Sequence, residues 1–481
     1  MSVLQGLKPE RVFYYFEEMS KIPHGSGNTK QISDFCVEFA NKKSLKVVQD
    51  EVNNVIIYKD GSAGYEDAEP VVLQGHLDMV CEKTKESNHN FDTDPLEIYV
   101  ENGYVTAKDT TLGADNGIAV AMTLAILEDD TIAHPPIEAL FTIDEETGMD
   151  GAQALDMSLL KSKMLINLDS EEEGFIIVGC AGGVHFEAEL PLERENKTGT
   201  LVELTIQGLL GGHSGVEIHK QRGNAHKLMG RLLYHLSRNH DFQLVETNGG
   251  SKDNVIAQEN KAVVLVNSDV EAFVKAIKDM EAKWKVEFAS DEPGLVILVQ
   301  VSENQEVSVC DEASTKRVIQ YLAVVPNGVQ VYERDLEDQV ETSLNIGSVK
   351  TEECAVKTVH LVRSSRDSQN EALKEQLYAL TDAVGGKGSV NGEFPGWAYR
   401  QESRLRDIMI STYEDLYGSK PGIYAIHAGL ECGLFLGKNP ELDCVSIGPN
   451  LSDVHSTAES MEIASVERCY NYLLNILKNC K

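Results

Sequence analysis

A histidine and an aspartate stand two residues apart in Gln74-Gly75-His76-Leu77-Asp78-Met79-Val80, directly after the apolar run Val71-Val72-Leu73. Such a run reads as a buried strand, in which residues i and i+2 point to the same face. His76 and Asp78 therefore converge at the carboxyl end of a strand, where open α/β sheets place their sites. An H-x-D triplet alone is often accidental. This one gains weight from four later segments: Gly113-Ala114-Asp115-Asn116-Gly117, Asp144-Glu145-Glu146-Thr147-Gly148, Asn167-Leu168-Asp169-Ser170 and Asp453-Val454-His455-Ser456. Together they supply two histidines and several carboxylates, the donor set that a carboxylate-bridged pair of divalent metal ions requires.

Two zinc ions about 3.5 Å apart need one bridging carboxylate, one or two terminal ligands each, and a water between them. His76 is a natural terminal ligand, although a strand-end histidine can also be merely hydrogen-bonded. Asp78 can ligate too, but it better serves by accepting from a metal-bound imidazole, which fixes the tautomer and raises basicity. Asp115 sits between glycines that permit close approach; its competing role is a plain helix N-cap. Glu145 and Glu146 point apart if extended, so one can bind metal while the other faces the water. Asp169 follows an apolar run and is a better ligand candidate than Glu171, Glu172 and Glu173, which look like a solvated acidic run. His455, with Asp453 and Ser456 beside it, completes the set. Outside it, His213 lies in Gly211-Gly212-His213-Ser214-Gly215, where a surface turn is the plain alternative. His427 stands in Ala425-Ile426-His427-Ala428-Gly429-Leu430-Glu431 without a partner pattern, and His219, His226, His235 and His240 have no special context.

These residues need elements to hold them. Helical spacing over 8–20 and about 29–42 precedes strands at 46–48, 54–58 and 70–75. A helix over 118–127 follows Asp115, and strands over 137–143 and 164–168 end at the Glu145-Glu146 pair and at Asp169. This alternation predicts an α/β domain with a largely parallel sheet. After about residue 185 the pattern becomes alternating apolar and polar, as in 185–190 and 201–206, which predicts half-exposed antiparallel strands. Helices near 223–236 and 270–288, then strands and helices over 294–390, suggest a domain of two α+β halves. A glycine-rich boundary at 386–395 leads back to α/β patterning: a helix over 404–416, a strand over 444–448 and a helix over 465–477. The expected organisation is thus a metal-binding domain in two parts, 1–185 and 398–481, with 186–397 inserted.

The chain has 481 residues, too many for one ordinary core. Its formal net charge of −34 excludes nucleic acid as a natural partner, because phosphate binding needs a basic footprint. No run approaches a membrane span, and the first residues lack a basic segment followed by an apolar core, so no membrane partner and no signal peptide are expected. Nine cysteines without paired spacing point to reduced thiols in a cytoplasm.

The five-part set closely resembles the co-catalytic zinc aminopeptidase, carboxypeptidase and dipeptidase superfamily, whose metal pattern is H-x-D, D, E-E, D or E, H. Within it the chain is similar to the bacterial aminoacyl-histidine dipeptidase (peptidase D) family, carnosinase-like enzymes acting on Xaa-His dipeptides. The segments that carry the likeness are 74–80, 111–117, 144–148, 211–215 and Ile426-His427-Ala428-Gly429-Leu430-Glu431-Cys432-Gly433. It runs from near residue 5 to the C-terminus, with no departure at a ligand position.

The resemblance implies a zinc-peptidase fold: a mixed, mostly parallel sheet with helices on both faces, and an inserted α+β lid domain. It implies two divalent ions per chain, zinc first and Co2+ or Mn2+ next. His76, Asp115 and Asp169 would hold one ion, and Asp115, Glu146 and His455 the other, with Asp115 bridging. Glu145 matches the general base, Asp78 the orienting carboxylate and His213 a lid histidine that stabilises the oxyanion. Asn254, Arg363 and Glu431 match substrate-binding positions, Arg363 taking the C-terminal carboxylate. The implied activity is hydrolysis of short peptides such as β-alanyl-histidine by a cytoplasmic homodimer. Alternatives are a tripeptidase or N-acyl amino acid deacylase of the same fold, or a non-catalytic binding protein on a dead peptidase scaffold, which should have lost a ligand or the base.

Overall fold

The computed structural model describes residues 2–481, which divide into two compact units: residues up to Gly179 with Tyr399–Ala425 and Leu430–Lys481, and Cys180–Ala398 with Ile426–Gly429. The second unit thus begins six residues before the expected boundary at 186. It also takes in a four-residue piece of the C-terminal part, which composition does not distinguish from its surroundings.

The first unit is built on an eight-stranded sheet. Its strand order is Lys46–Gln49, Val55–Lys59, Ile137–Thr142, Val71–His76, Met164–Asn167, Asp443–Ser446, Phe175–Cys180 and Gly422–Ile426. Val71–His76 pairs in parallel with Ile137–Thr142 on one side and Met164–Asn167 on the other, and Met164–Asn167 pairs in parallel with Asp443–Ser446. Val55–Lys59 pairs antiparallel with both its neighbours, and Asp443–Ser446 pairs antiparallel with Phe175–Cys180. The sheet is therefore mixed, with its four central strands parallel. A continuous apolar run marks burial on both faces and says nothing of the direction of the next strand.

The helix Ala114–Glu128 packs on Val71–His76. Nearly every residue from Asn116 to Leu127 is buried, consistent with its being apolar all round. A second, four-stranded sheet in the order Leu451–Ser452, Ser460–Glu462, Tyr104–Ala107 and Ile98–Glu101 joins the C-terminal part to the segment before Asp115.

In the second unit a nine-stranded sheet runs in the order Val296–Cys310, Arg194–Gln207, Asn260–Val266, Phe242–Gly249, Val340–Thr351, Ala355–Ser364, Gly182–Pro191 and Lys387–Phe394, with Gly328–Tyr332 paired on Val340–Thr351. Every register given for it is antiparallel. Its two halves meet at one residue pair, Gly249 with Val349. They share a single core, in which Phe186, Leu232, Phe273, Trp284, Tyr321 and Leu344 are buried. The halves are not successive stretches of chain: the first strand, Gly182–Pro191, lies in the half built by 340–394. Alternation in the sequence shows where strands are, not which partners they take. No described helix is long and apolar enough to cross a membrane, and no disulfide joins any of the nine cysteines.

Candidate metal centre

Three parallel strands deliver the site from their carboxyl ends. His76 closes Val71–His76, Asp169 lies two residues beyond Met164–Asn167, and the Glu145–Gly148 helical turn follows Ile137–Thr142. The strand carrying His76 is fixed from below. Gln74 Nε2 donates to Glu431 Oε2 (2.6 Å), Thr142 Oγ1 donates to the same oxygen (2.7 Å), and Asn167 Nδ2 donates to Gln74 Oε1 (2.5 Å). One buried network thereby ties together the three strand ends.

The His76 ring is held at both nitrogens. Nδ1 lies 3.0 Å from the Asp78 carbonyl oxygen and 3.3 Å from Asp78 Oδ1. Nε2 lies 3.1 Å from Asp115 Oδ1 and 3.5 Å from Asp169 Oδ1. The other oxygen of Asp115, Oδ2, lies 3.2 Å from His455 Nε2, which is itself 3.0 Å from Glu146 Oε1. Asp115 thus presents one oxygen to His76, whose Nε2 also approaches Asp169, and the other to His455, whose Nε2 also meets Glu146. Ligand atoms of His76, Asp115 and Glu146 all lie within 4.8 Å of one another.

Asp115 is not a helix cap. It has φ −81° and ψ 107°, outside helical geometry, and the N-cap position of this helix is Gly113, not Asp115. Its neighbour Asn116 accepts from the His76 N–H (3.1 Å) and donates to the Leu168 carbonyl (2.9 Å), locking the loop to two strand ends. Asp78 does more than orient the imidazole. Its carboxylate also accepts the backbone N–H groups of Glu145 (3.0 Å) and Glu146 (3.3 Å) and the Ser26 hydroxyl (2.8 Å).

The electrostatics are those of an anion cluster. Burial pushes Glu145 well above the usual carboxylate range, and Asp169 up to about 6. Burial acts to raise Asp115 as well, but hydrogen bonds to His455 and His76 hold it down. Hydrogen bonds to Asp115 and Glu146 push His455 up to about 11. Glu171 is exposed, as expected of a solvated run, yet local burial of its carboxyl, then Asp115 and Asp169, raise it to about 7. Five carboxylates around two imidazoles form a site that wants cations. Hard oxygen donors with imidazole nitrogens suit zinc, manganese or cobalt.

Glu431, expected among substrate-binding residues, is fully buried beneath the cluster. Its Oε2 accepts from Gln74 and Thr142, its Oε1 has no partner, and burial raises it to about 8. It is placed to brace the strand ends. Another anchor escaped the sequence altogether. The carboxylate of Glu459 collects backbone N–H groups from the loop that carries Asp115. A lone glutamate in a polar loop offers no signal; its partners are set only by the small sheet.

The remaining candidates gather in the second unit. Arg363, on the strand Ala355–Ser364, is 7% exposed, its Nε has no partner, and burial pulls it down to about 10. His213 accepts from the backbone N–H groups of Gly215 and Val216 at Nδ1 (3.2 Å each), which leaves the proton on Nε2. Burial and then Arg363 lower its pKa. His427, whose segment showed no partner pattern, lies 2.7 Å through Nε2 from Ser343 Oγ, and burial and Arg363 hold it at about 3. Asn254 has a buried Oδ1 without a partner, and its backbone carbonyl accepts from the Ser214 N–H (2.8 Å).

Known proteins resemble this chain in sequence and fold. The chain is 39% identical over 481 residues, 99% of both sequences, to the cytosol non-specific dipeptidase of Escherichia coli. It is 37% identical to the crystal structure of aminoacylhistidine dipeptidase from Vibrio alginolyticus, with a TM-score of 0.93 and coverage of 99% of this chain and 97% of that one. Aminopeptidase PepT from Bacillus cereus shares the fold at 14% identity, with a TM-score of 0.56 and coverage of 98% and 99%. Residues 72–479, which hold every candidate ligand above, match peptidase family M20/M25/M40, and the chain belongs to that family.

Proposed function

We propose that this chain is a metal-dependent dipeptidase that binds two divalent ions, zinc first among the candidates, and cleaves short peptides, with Xaa-His dipeptides among its best substrates. The observation that carries this reading is the two-sided Asp115 carboxylate, with His76 at one oxygen and His455 at the other, Asp169 lying against His76 and Glu146 against His455. The names of the two relatives above 30% identity, both dipeptidases, support the substrate class.

When bound, two divalent cations supply Lewis acidity that brings the ionisation of water toward neutral pH. Asp78 keeps the His76 proton on Nδ1, so the Nε2 lone pair faces the cluster. Glu145 takes the proton of the attacking water and passes it to the leaving amine. Asp78 fixes the backbone of Glu145 and sets where its carboxyl reaches. In the second unit, the Nε2–H of His213 is available to an oxyanion. The unpaired Arg363 guanidinium suits the peptide's C-terminal carboxylate, and Asn254 offers an amide beside it. A cytoplasmic location and a homodimer complete the proposal.

Metal analysis joined to a substrate panel tests it. Purified protein should hold close to two divalent ions per chain, and chelation should abolish activity. Xaa-His dipeptides should turn over faster than tripeptides or N-acyl amino acids. An active preparation with one ion or none would overturn the metal reading, and preference for an N-acyl amino acid the substrate reading. Light scattering reads the assembly.

A further inference from the structure

Glu459 is 2% exposed, yet its carboxylate meets no side-chain cation among the described residues. Four backbone N–H groups converge on it instead. Leu112 (2.6 Å) and Gly113 (3.1 Å) donate to Oε2, and Ala114 (2.8 Å) and Asp115 (3.4 Å) donate to Oε1. These four consecutive amides belong to the turn that leads into the helix and carries Asp115, and without Glu459 they would be buried donors lacking this acceptor. The backbone of Glu459 is fixed as well: its carbonyl accepts from Thr106 Oγ1 (2.8 Å), and its N–H donates to the Ser456 carbonyl (3.2 Å).

Glu459 therefore bridges two loops. One ends at Asp115; the other, between the strands Leu451–Ser452 and Ser460–Glu462, carries His455. That second loop holds two non-glycine residues in the left-handed region, Asp453 at φ 53° and His455 at φ 61°. Such backbone persists only where surrounding contacts over-determine it. His455 is also the most open of the candidate ligands, its side chain 49% exposed, so packing alone does not hold it. His76 and Asp169 stand at strand ends and need no such support.

We infer that Glu459 is a positioning residue that clamps the Asp115 loop to the His455 loop and so sets the affinity of the second metal position, the one formed by Asp115, Glu146 and His455. The inference rests on the two-metal reading above. It predicts an asymmetry: loosening the clamp costs the ion that needs His455, while the ion at His76 and Asp169 stays.

The test is a Zn2+ titration of metal-stripped protein by calorimetry. Wild type should bind two ions; fewer would overturn the two-metal reading and the clamp with it. Glu459→Gln keeps shape but turns one acceptor oxygen into an NH2 facing amide donors. It should bind one ion with near wild-type affinity and the second about 10- to 100-fold more weakly, the usual cost of an outer-sphere partner. Its kcat at limiting zinc should fall with KM unchanged, and excess zinc should restore it. Thr106→Val, a milder change, should weaken the second ion alone. Two ions at wild-type affinity in Glu459→Gln would overturn the inference, as would equal weakening of both ions in the folded Thr106→Val protein.

Discussion

Two adjacent glutamates, Glu145 and Glu146, have backbone amides bound to the same Asp78 carboxylate, yet their side chains part. Glu146 meets His455 at 3.0 Å, while Glu145 is raised by burial and by the surrounding carboxylates, after the opposing pull of His76. The division predicts different defects. Glu145→Gln should keep both metals and lose about 10² to 10⁴ in kcat, the usual worth of a general base. Glu146→Gln should lose metal first, with activity returning at high metal concentration. Metal content measured beside kcat separates the two, and exchanged phenotypes would reverse the roles. At this scale the candidate ligands were legible because each occupies a short segment of distinctive composition. Gln74, Thr142 and Glu459 were not, since a supporting polar residue acquires its meaning from a partner hundreds of positions away.

The strand ends set the site's dimensions, and Gly75 shows how tightly. A Cβ there would lie 2.4 Å from Asn116 Oδ1 and 2.8 Å from Ala119 Cβ. The helix that brings Asp115 thus rests directly on the backbone of the strand that brings His76. Gly75→Ala should push the two apart, costing about 1–3 kcal/mol as overpacking does. It should also disturb the bond from the His76 N–H to Asn116. Expected readouts are a lower melting temperature in the metal-free protein and weaker binding of both ions; a variant that melts and binds like wild type would show that the contact yields freely. The central strands were legible as apolar runs, and Ala114–Glu128 as an apolar helix. The sheet of Ile98–Glu101, Tyr104–Ala107, Leu451–Ser452 and Ser460–Glu462 was not. Its strands are two to four residues long and partly exposed, too short to show a period, and their pairing spans more than 350 positions. The interleaved halves of the second unit were hidden for the same reason: register is a property of the folded sheet.

Across the whole molecule, 77 acidic residues against 43 Lys and Arg give a field that disfavours anions. A zwitterionic dipeptide has no net charge to be repelled, but its carboxylate still needs a local cation. In the proposed reading Arg363 supplies one in a form that suits the task. It is buried, and its neighbours His213 and His427 are held neutral by burial and by Arg363 itself. Asp253 is the carboxylate whose field reaches it, and Asp253 is engaged by His185. A desolvated guanidinium with a free Nε gains most from a carboxylate arriving with its own charge. Because that carboxylate is present before and during bond cleavage, its loss should appear as weaker binding rather than slower chemistry. Arg363→Met should raise KM for dipeptides about 10- to 100-fold, the range for a charged hydrogen bond, with kcat changed only a few-fold. In wild type, amidating the dipeptide's C-terminus should produce the same rise, and in Arg363→Met amidation should cost nothing further. If the variant still prefers the free carboxylate as strongly as wild type does, the carboxylate is recognised elsewhere and Arg363 is a structural cation of the second unit.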